Sequence, residues 1–330
     1  MFARRKFIAV TIATSLLCAP LFASAADEFQ LKFGHDQAPE HAYNLAATYF
    51  ADKVKEKTNG KVSIKVFPNA TLGKEGDMLD SLSMGTLDFS ISSTSNASSH
   101  VPQFGMLSVS YLFDNKDQLG KAAVDPTIVK RYQDLVVNKK LGFQMLTLMP
   151  NGLRNLYTTK PVKSIQDIQG MKVRVMPSPI ESQVWSALGT KPTSVPFSDV
   201  YTALQTDLVS GAENTVSSFG QAKHNEVAKY YTLTGHQWLM TIIWASNKTM
   251  DKLPEQFRKA VRESAVEAAM HGFKMQLEND DKYTKELQAK GVTVSEVDRK
   301  PFAERVVTLQ DQIAKELKTE DILARVRALK

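Results

Sequence analysis

The sequence predicts two α/β lobes braced by one shared helix, and three observations carry that reading. Residues 29–92 alternate strand and helix patterns, and a second alternating set begins near Pro150-Asn151-Gly152. A helical pattern then runs with little interruption over 254–290. At 1.5 Å per residue that last pattern is roughly 55 Å long, more than one small domain can cover, so it lies across two.

In the first set, 29–34 is a short β-like run. An amphipathic helix over 40–57 follows and stops at Asn59-Gly60, a C-terminal glycine signal. Residues 62–67 alternate apolar and polar as a half-buried strand should, and Pro68-Asn69 ends them. Helix returns over 74–84 and strand over 87–92. This order predicts a mostly parallel sheet with covered faces, whose ligands bind where loops gather at the carboxyl ends of strands. In the second set, 171–176 is a strand stopped by Pro177 and Pro179, 180–188 and 198–207 are helices, and 209–213 is a short strand. Residues 238–245 form a strongly apolar, fully buried strand.

The 330 residues are 43% hydrophobic, 8% aromatic and 23% charged, which excludes collagen-like, mainly disordered and polytopic membrane classes. The net charge of +6 shrinks to +3 once residues 1–25 are set aside, because they carry Arg4, Arg5 and Lys6 and no acid. That surplus makes no case for nucleic acid or an anionic membrane as partner. Arg4-Arg5-Lys6, the apolar run from Phe7 to Phe22 and Ala23-Ser24-Ala25 fit a cleaved secretory signal over 1–25, so the mature chain is expected to start at Ala26 in the periplasm. The lone Cys18 falls inside it, which leaves no thiol for disulfides, catalysis or metal. No dinucleotide, P-loop, nucleophile-elbow or zinc-protease motif is present, and the six histidines show no metal-ligand spacing. His35 and His41, six apart across Pro39, read as coincidence rather than a site. No catalytic residue, cofactor or metal is therefore assigned.

The chemistry that remains is cationic. Arg174 sits in Met171-Lys172-Val173-Arg174-Val175-Met176, where it points either to solvent or into the inter-lobe cleft. Its planar fork can grip a carboxylate through two hydrogen bonds, as lysine cannot. Arg154, in Asn151-Gly152-Leu153-Arg154-Asn155, follows the first lobe's last strand and reaches toward the same cleft. Asp36 and His35 follow the first strand, and Ser93 and Asn96 the third, all in position to line the cleft. Trp238 is a candidate for stacking on a sugar ring or, alternatively, an anchor in the buried strand.

The order of segments resembles the extracytoplasmic solute receptors of tripartite ATP-independent periplasmic (TRAP) transporters, the DctP family. The matching pieces begin with Leu31-Lys32-Phe33-Gly34, Phe67-Pro68-Asn69-Ala70-Thr71-Leu72-Gly73 and Gly85-Thr86-Leu87-Asp88-Phe89. They continue with Gly170-Met171-Lys172-Val173-Arg174-Val175, Pro196-Phe197-Ser198-Asp199-Val200-Tyr201 and Gly211-Ala212-Glu213-Asn214. The resemblance spans nearly the whole mature chain. It implies a two-lobed type II periplasmic-binding fold with a hinge, with lobe I expected over 26–151 plus 240–279 and lobe II over 152–239 plus 280–330. It implies that Arg174 pairs with a solute carboxylate, that Arg154 and Asn214 take its remaining oxygens, and that Phe197 packs on the solute. Glu75 matches a position that accepts sugar hydroxyls; without a ligand it is an acid well placed at a helix N-terminus.

The expected function is therefore a receptor for a small organic acid, a sugar acid such as a uronate, which closes on its cargo and delivers it to a membrane permease. A C4-dicarboxylate receptor is the alternative within the family, and it needs a second cation from the first lobe. A periplasmic enzyme acting on hydroxy acids, and an amino-acid receptor of an ATP-driven importer, are the alternatives outside it.

Overall fold

Residues 28–330 are described by the computed structural model, so the expected signal segment lies outside the described residues. The first half of the chain is β1 (Phe29–Gly34), α1 (Ala42–Lys57), β2 (Val62–Phe67), α2 (Glu75–Met84), β3 (Phe89–Ser93) and α3 (Thr94–Ala97). A 3-10 segment, Pro102–Ser108, leads to α4 (Lys116–Val124), α5 (Pro126–Lys139) and the long strand β4 (Phe143–Thr158). Next come β5 (Lys172–Val175), α6 (Pro179–Ala187), β6 (Lys191–Ser194), α7 (Val200–Gln205), β7 (Gly211–Asn214), α8 (Val216–Gln221) and a second long strand, β8 (Tyr230–Ser246). The chain closes with α9 (Asn247–Lys252), α10 (Glu255–Ala289), β9 (Thr293–Glu296), α11 (Lys300–Leu317) and α12 (Glu320–Ala328).

All nine strands form one sheet, in the order β2-β1-β3-β8-β4-β7-β5-β6, with β9 on the free edge of β8. The sheet is mixed, where the sequence pattern predicts mostly parallel. The outer strands pair in parallel, but β8 runs antiparallel to both β3 and β4, and β4 to β7. The reason lies in β4 and β8, 16 and 17 residues long, which cross from one half of the molecule to the other. Ser92 and Ser93 pair with the far end of β8, whereas Tyr230 to Leu233 at its start pair with β9. Their mutual register slips between Met145 and Thr147, Pro150 and Leu153, and Arg154 and Leu156. Such bulges admit Pro150 into a central strand and let both strands bend where the halves meet.

Each half has an apolar core of its own. Phe33, Phe50, Phe89, Ile243, Val261 and Ala265 pack α1 and the start of α10 on the first half of the sheet. Tyr157, Val200, Leu204, Phe219, Tyr231 and Leu287 do the same for α7, α8 and the end of α10 in the second. A third cluster on the opposite face runs continuously from Leu79 and Trp244 to Trp185 and Val306, tying the halves together at the hinge. The 35 residues of α10 span both halves, as the pattern over 254–290 predicts. The last helix, α12, returns to α4 and α5 through Arg325 on Asp125 and the Gln118 amide on the Val326 carbonyl, although the sequence reading groups 280–330 with the second lobe.

Candidate functional site

A narrow cavity lies between the halves, at the carboxyl ends of β3, β5 and β7. That is the place expected of a small-molecule site in an open α/β sheet. Arg154, Arg174, Met176, Phe197, Asn214 and Ser218 form its second-half wall, while Gln37, His41, Tyr43, Glu75, Ser93 and Asn96 form the first. Asn151 and Leu239, from the crossing strands, close the back.

The two arginines are held differently. Arg154 lies inside β4, not after a strand, and each of its three nitrogens has a partner. Nε donates to Glu213 Oε2 at 2.5 Å, Nη1 to Asn214 Oδ1 at 2.8 Å, and Nη2 to the Glu213 carbonyl at 2.8 Å. Arg174, 1% exposed, donates only from Nε, to the Val195 carbonyl at 2.7 Å. Its Nη1 is buried without a hydrogen-bond partner, 3.7 Å from Glu213 Oε1. Burial would push the Glu213 carboxyl up, but Arg154 and His236 reverse this and hold it at about 2. Burial lowers the Arg174 pKa, and Glu213 offsets that only in part. The site therefore holds, on the cavity wall, one desolvated guanidinium whose two Nη groups make no hydrogen bond, and a carboxylate is the group that completes such a fork.

Asn214 ends β7, and its Oδ1 accepts from both Arg154 and the Thr215 N–H, which leaves the amide Nδ2 as a donor for the cavity. Opposite, Glu75 opens α2. Its Oε2 takes the Ser93 N–H and hydroxyl at 3.0 Å each and the Asn96 amide at 2.5 Å. Burial and the Asp36 carboxylate raise Glu75 to about 8, so at neutral pH it is an acid able to donate as well as accept. Ser93 and Asn96 line the cavity as expected from their place after β3, with these bonds committed to Glu75. Phe197 lines it too, its ring 5.4 Å from His224.

Three expectations place differently. Asp36 borders the two openings beside Phe197 rather than the cavity; it accepts from Gln37 at 2.8 Å, and burial raises it to about 6. His35 is fully buried behind the wall, on Asn44 Oδ1 at 3.1 Å, and borders none of these spaces. Trp238 faces away from the cavity, into a groove with Leu153, Tyr111 and Arg299. Strand alternation is the cause: Arg154 pairs with Gln237, so the next pair, Leu153 with Trp238, points to the opposite face. Sequence reasoning also missed residues. Glu213 was signalled by an acid inside a short buried strand, which needs a cation beside it. His41 was signalled by its place immediately before a helix, where its ring caps the Tyr43 N–H.

The sequence profile of bacterial extracellular solute-binding protein family 7, DctP, matches residues 33–317. The chain belongs to the DctP family. A solute-binding protein of Roseobacter denitrificans is 31% identical over 301 residues, covering 90% of this chain and 92% of its own. A TRAP periplasmic solute-binding protein of Xanthobacter autotrophicus, solved with bound β-D-galacturonate, is 27% identical with a TM-score of 0.86, covering 91% of this chain and all of its own. One from Anaerococcus prevotii, solved with bound D-glucuronate, is 28% identical with a TM-score of 0.87, covering 91% and 98%. The DctP chain described here thus has the two-lobed receptor fold, and it is a transport receptor rather than an enzyme. Among the described residues, no helix is long and apolar enough to cross a membrane, and no group of three or more His, Cys, Asp and Glu is arranged to hold a metal ion.

Proposed function

We propose that this DctP receptor binds a monocarboxylate sugar acid, of the uronate or aldonate kind, in the cavity between its lobes. The observation that carries the reading is Arg174: buried, lining the cavity, and fixed through Nε alone, with neither Nη in a hydrogen bond. The solute carboxylate completes that guanidinium, the Asn214 amide donates to the carboxylate or an adjacent hydroxyl, and Phe197 packs on the carbon skeleton. Glu75 meets hydroxyls from the other side. The galacturonate and glucuronate bound by similar receptors support this class. A C4-dicarboxylate is disfavoured because, among the described residues, the first-half wall brings no lysine or arginine to the cavity.

The lobes divide where β4 and β8 cross, with boundaries near 151 and 240, and α10 braces both. Residues 1–25 export the chain to the periplasm, and the closed receptor docks on its TRAP permease. Closure without an acid is disfavoured, since it would bury a guanidinium whose Nη groups lack hydrogen-bond partners.

Thermal unfolding against uronates, aldonates, C4-dicarboxylates and amino acids tests the reading. A solute at a hundred times its Kd stabilises by about 2.7 kcal/mol. The expected result is a shift with sugar acids that Arg174→Ala abolishes and Arg174→Lys restores only in part. A sugar-acid shift that survives Arg174→Ala would overturn the site, and a response confined to dicarboxylates would overturn the solute class.

A further inference from the structure

Ser218 lines the cavity from α8, and its hydroxyl stands at the end of a chain of hydroxyl contacts that reaches Asp280. One end of the chain is His41, whose Nδ1 accepts the Tyr43 N–H at 3.1 Å as the cap of α1. Burial keeps the ring neutral, at a pKa of about 3, so its single proton sits on Nε2 and is donated to Ser218 Oγ, 3.0 Å away on the other lobe. At the far end stands Asp280 of α10. Its Oδ1 accepts the Ser217 N–H at 3.1 Å, the Ser217 hydroxyl at 2.6 Å and the Gln276 amide at 3.0 Å. Ser217 has then used its only proton, so its 3.2 Å contact with Thr215 Oγ1 is donated by Thr215. Thr215 in turn accepts from Ser218 at 2.8 Å. Each hydroxyl owns one proton, and the one arrangement that makes every contact of the chain a hydrogen bond runs from Ser218 through Thr215 and Ser217 to Asp280.

We infer that Ser218 meets the solute as an acceptor with no proton to give, and that Thr215, Ser217 and Asp280 are positioning residues that enforce this polarity. The inference rests on the sugar-acid reading and narrows it. At this point of the wall the receptor reads a solute hydroxyl as donor and rejects a deoxy, keto or carboxylate group in its place. A lone pair facing such a group is left unpaired or faces another acceptor, which is where polar sites gain their discrimination.

Calorimetry with D-glucuronate and its singly deoxygenated and singly fluorinated analogues tests it, because fluorine replaces the hydroxyl without being able to donate. At one ring position the wild type should lose about tenfold or more with both replacements. Ser218→Ala should cut that penalty to within about threefold. Thr215→Val should do the same by freeing the Ser218 proton, whereas Thr215→Ser should keep the penalty. Full affinity for every fluoro analogue, or penalties unchanged in Ser218→Ala, would overturn the inference. The 15N shifts of the His41 ring provide a readout that needs no solute. They should report Nε2–H from pH 5 to 8, and an Nδ1–H or doubly protonated ring would overturn the relay. Should no sugar acid bind while His41 holds the expected tautomer, the solute class fails and the relay stands.

Discussion

At Arg154 every nitrogen is occupied by β7, whereas at Arg174 only Nε is occupied, by the Val195 carbonyl, and Glu213 stands between them. Substituting Glu213→Gln leaves two buried guanidinium groups without a counter-charge, and the loss should be about 3–5 kcal/mol, read as a fall in the urea midpoint. Because Glu213 is depressed to about 2 from an ordinary 4.5, its stabilisation is complete above about pH 4.5 and is lost as pH falls toward 2. Glu75 behaves oppositely. Raised to about 8, it favours the fold fully below about pH 4.5, and that advantage is lost as pH rises toward 8. Urea midpoints of the wild type should therefore decline between pH 5 and 8, and Glu75→Gln should flatten part of that decline. An unchanged slope would mean that Glu75 is ionised in the folded state. Legibility at this scale followed side-chain chemistry. Arg174 was readable because an arginine in an apolar strand demands a partner; His35 was not, because position after a strand does not say which way a ring turns.

Between residues and lobes stand the crossing strands. The pattern over 62–67 was clean because one face is more buried than the other, and it matches β2 to the residue. Pro150-Asn151-Gly152, read as the start of a new set, lies instead inside β4, where bulges absorb the proline. Both long strands are buried almost throughout, so they show no two-residue alternation for a pattern to detect. Gly152 has its own reason. A Cβ there would press on Asp280 Oδ2 and lie 2.8 Å from Thr215 Cγ2, so only glycine lets β4 and α10 approach. Gly152→Ala should cost about 1–3 kcal/mol in unfolding experiments. If the Ser217 and Thr215 hydroxyls are aligned by that contact, the variant should also lose the hydroxyl selectivity assigned to Ser218.

For the whole molecule, closure is written in the bonds that cross the cleft. Lys74 pairs with Asp199 at 2.7 Å over the mouth, the Gln221 amide reaches the Glu40 carbonyl, and on the flank Ser95 donates to Glu181 at 2.7 Å. The first is exposed on both sides, so its effect should be kinetic and screened by salt. Lys74→Ala should speed solute release in stopped-flow at low ionic strength and differ little from wild type at 1 M salt. A release rate that is unaffected at low salt would show that the mouth opens without parting this pair.

The interleaving of the chain has a further consequence, for the order of events in time. Residues 89–93 meet β1 upstream on one side, but their partners on the other side lie at 241–245, about 150 positions downstream, and α1 waits for α10 beyond that. A nascent amino-terminal lobe is thus a sheet with a missing central strand, unable to complete itself until most of the polypeptide is available. Such non-local closure makes acquisition of structure slow. For the export proposed above, in which an extended chain threads a translocation channel, such slowness would be protection: the sequence would stay threadable until both ends of its central strands are on the same side.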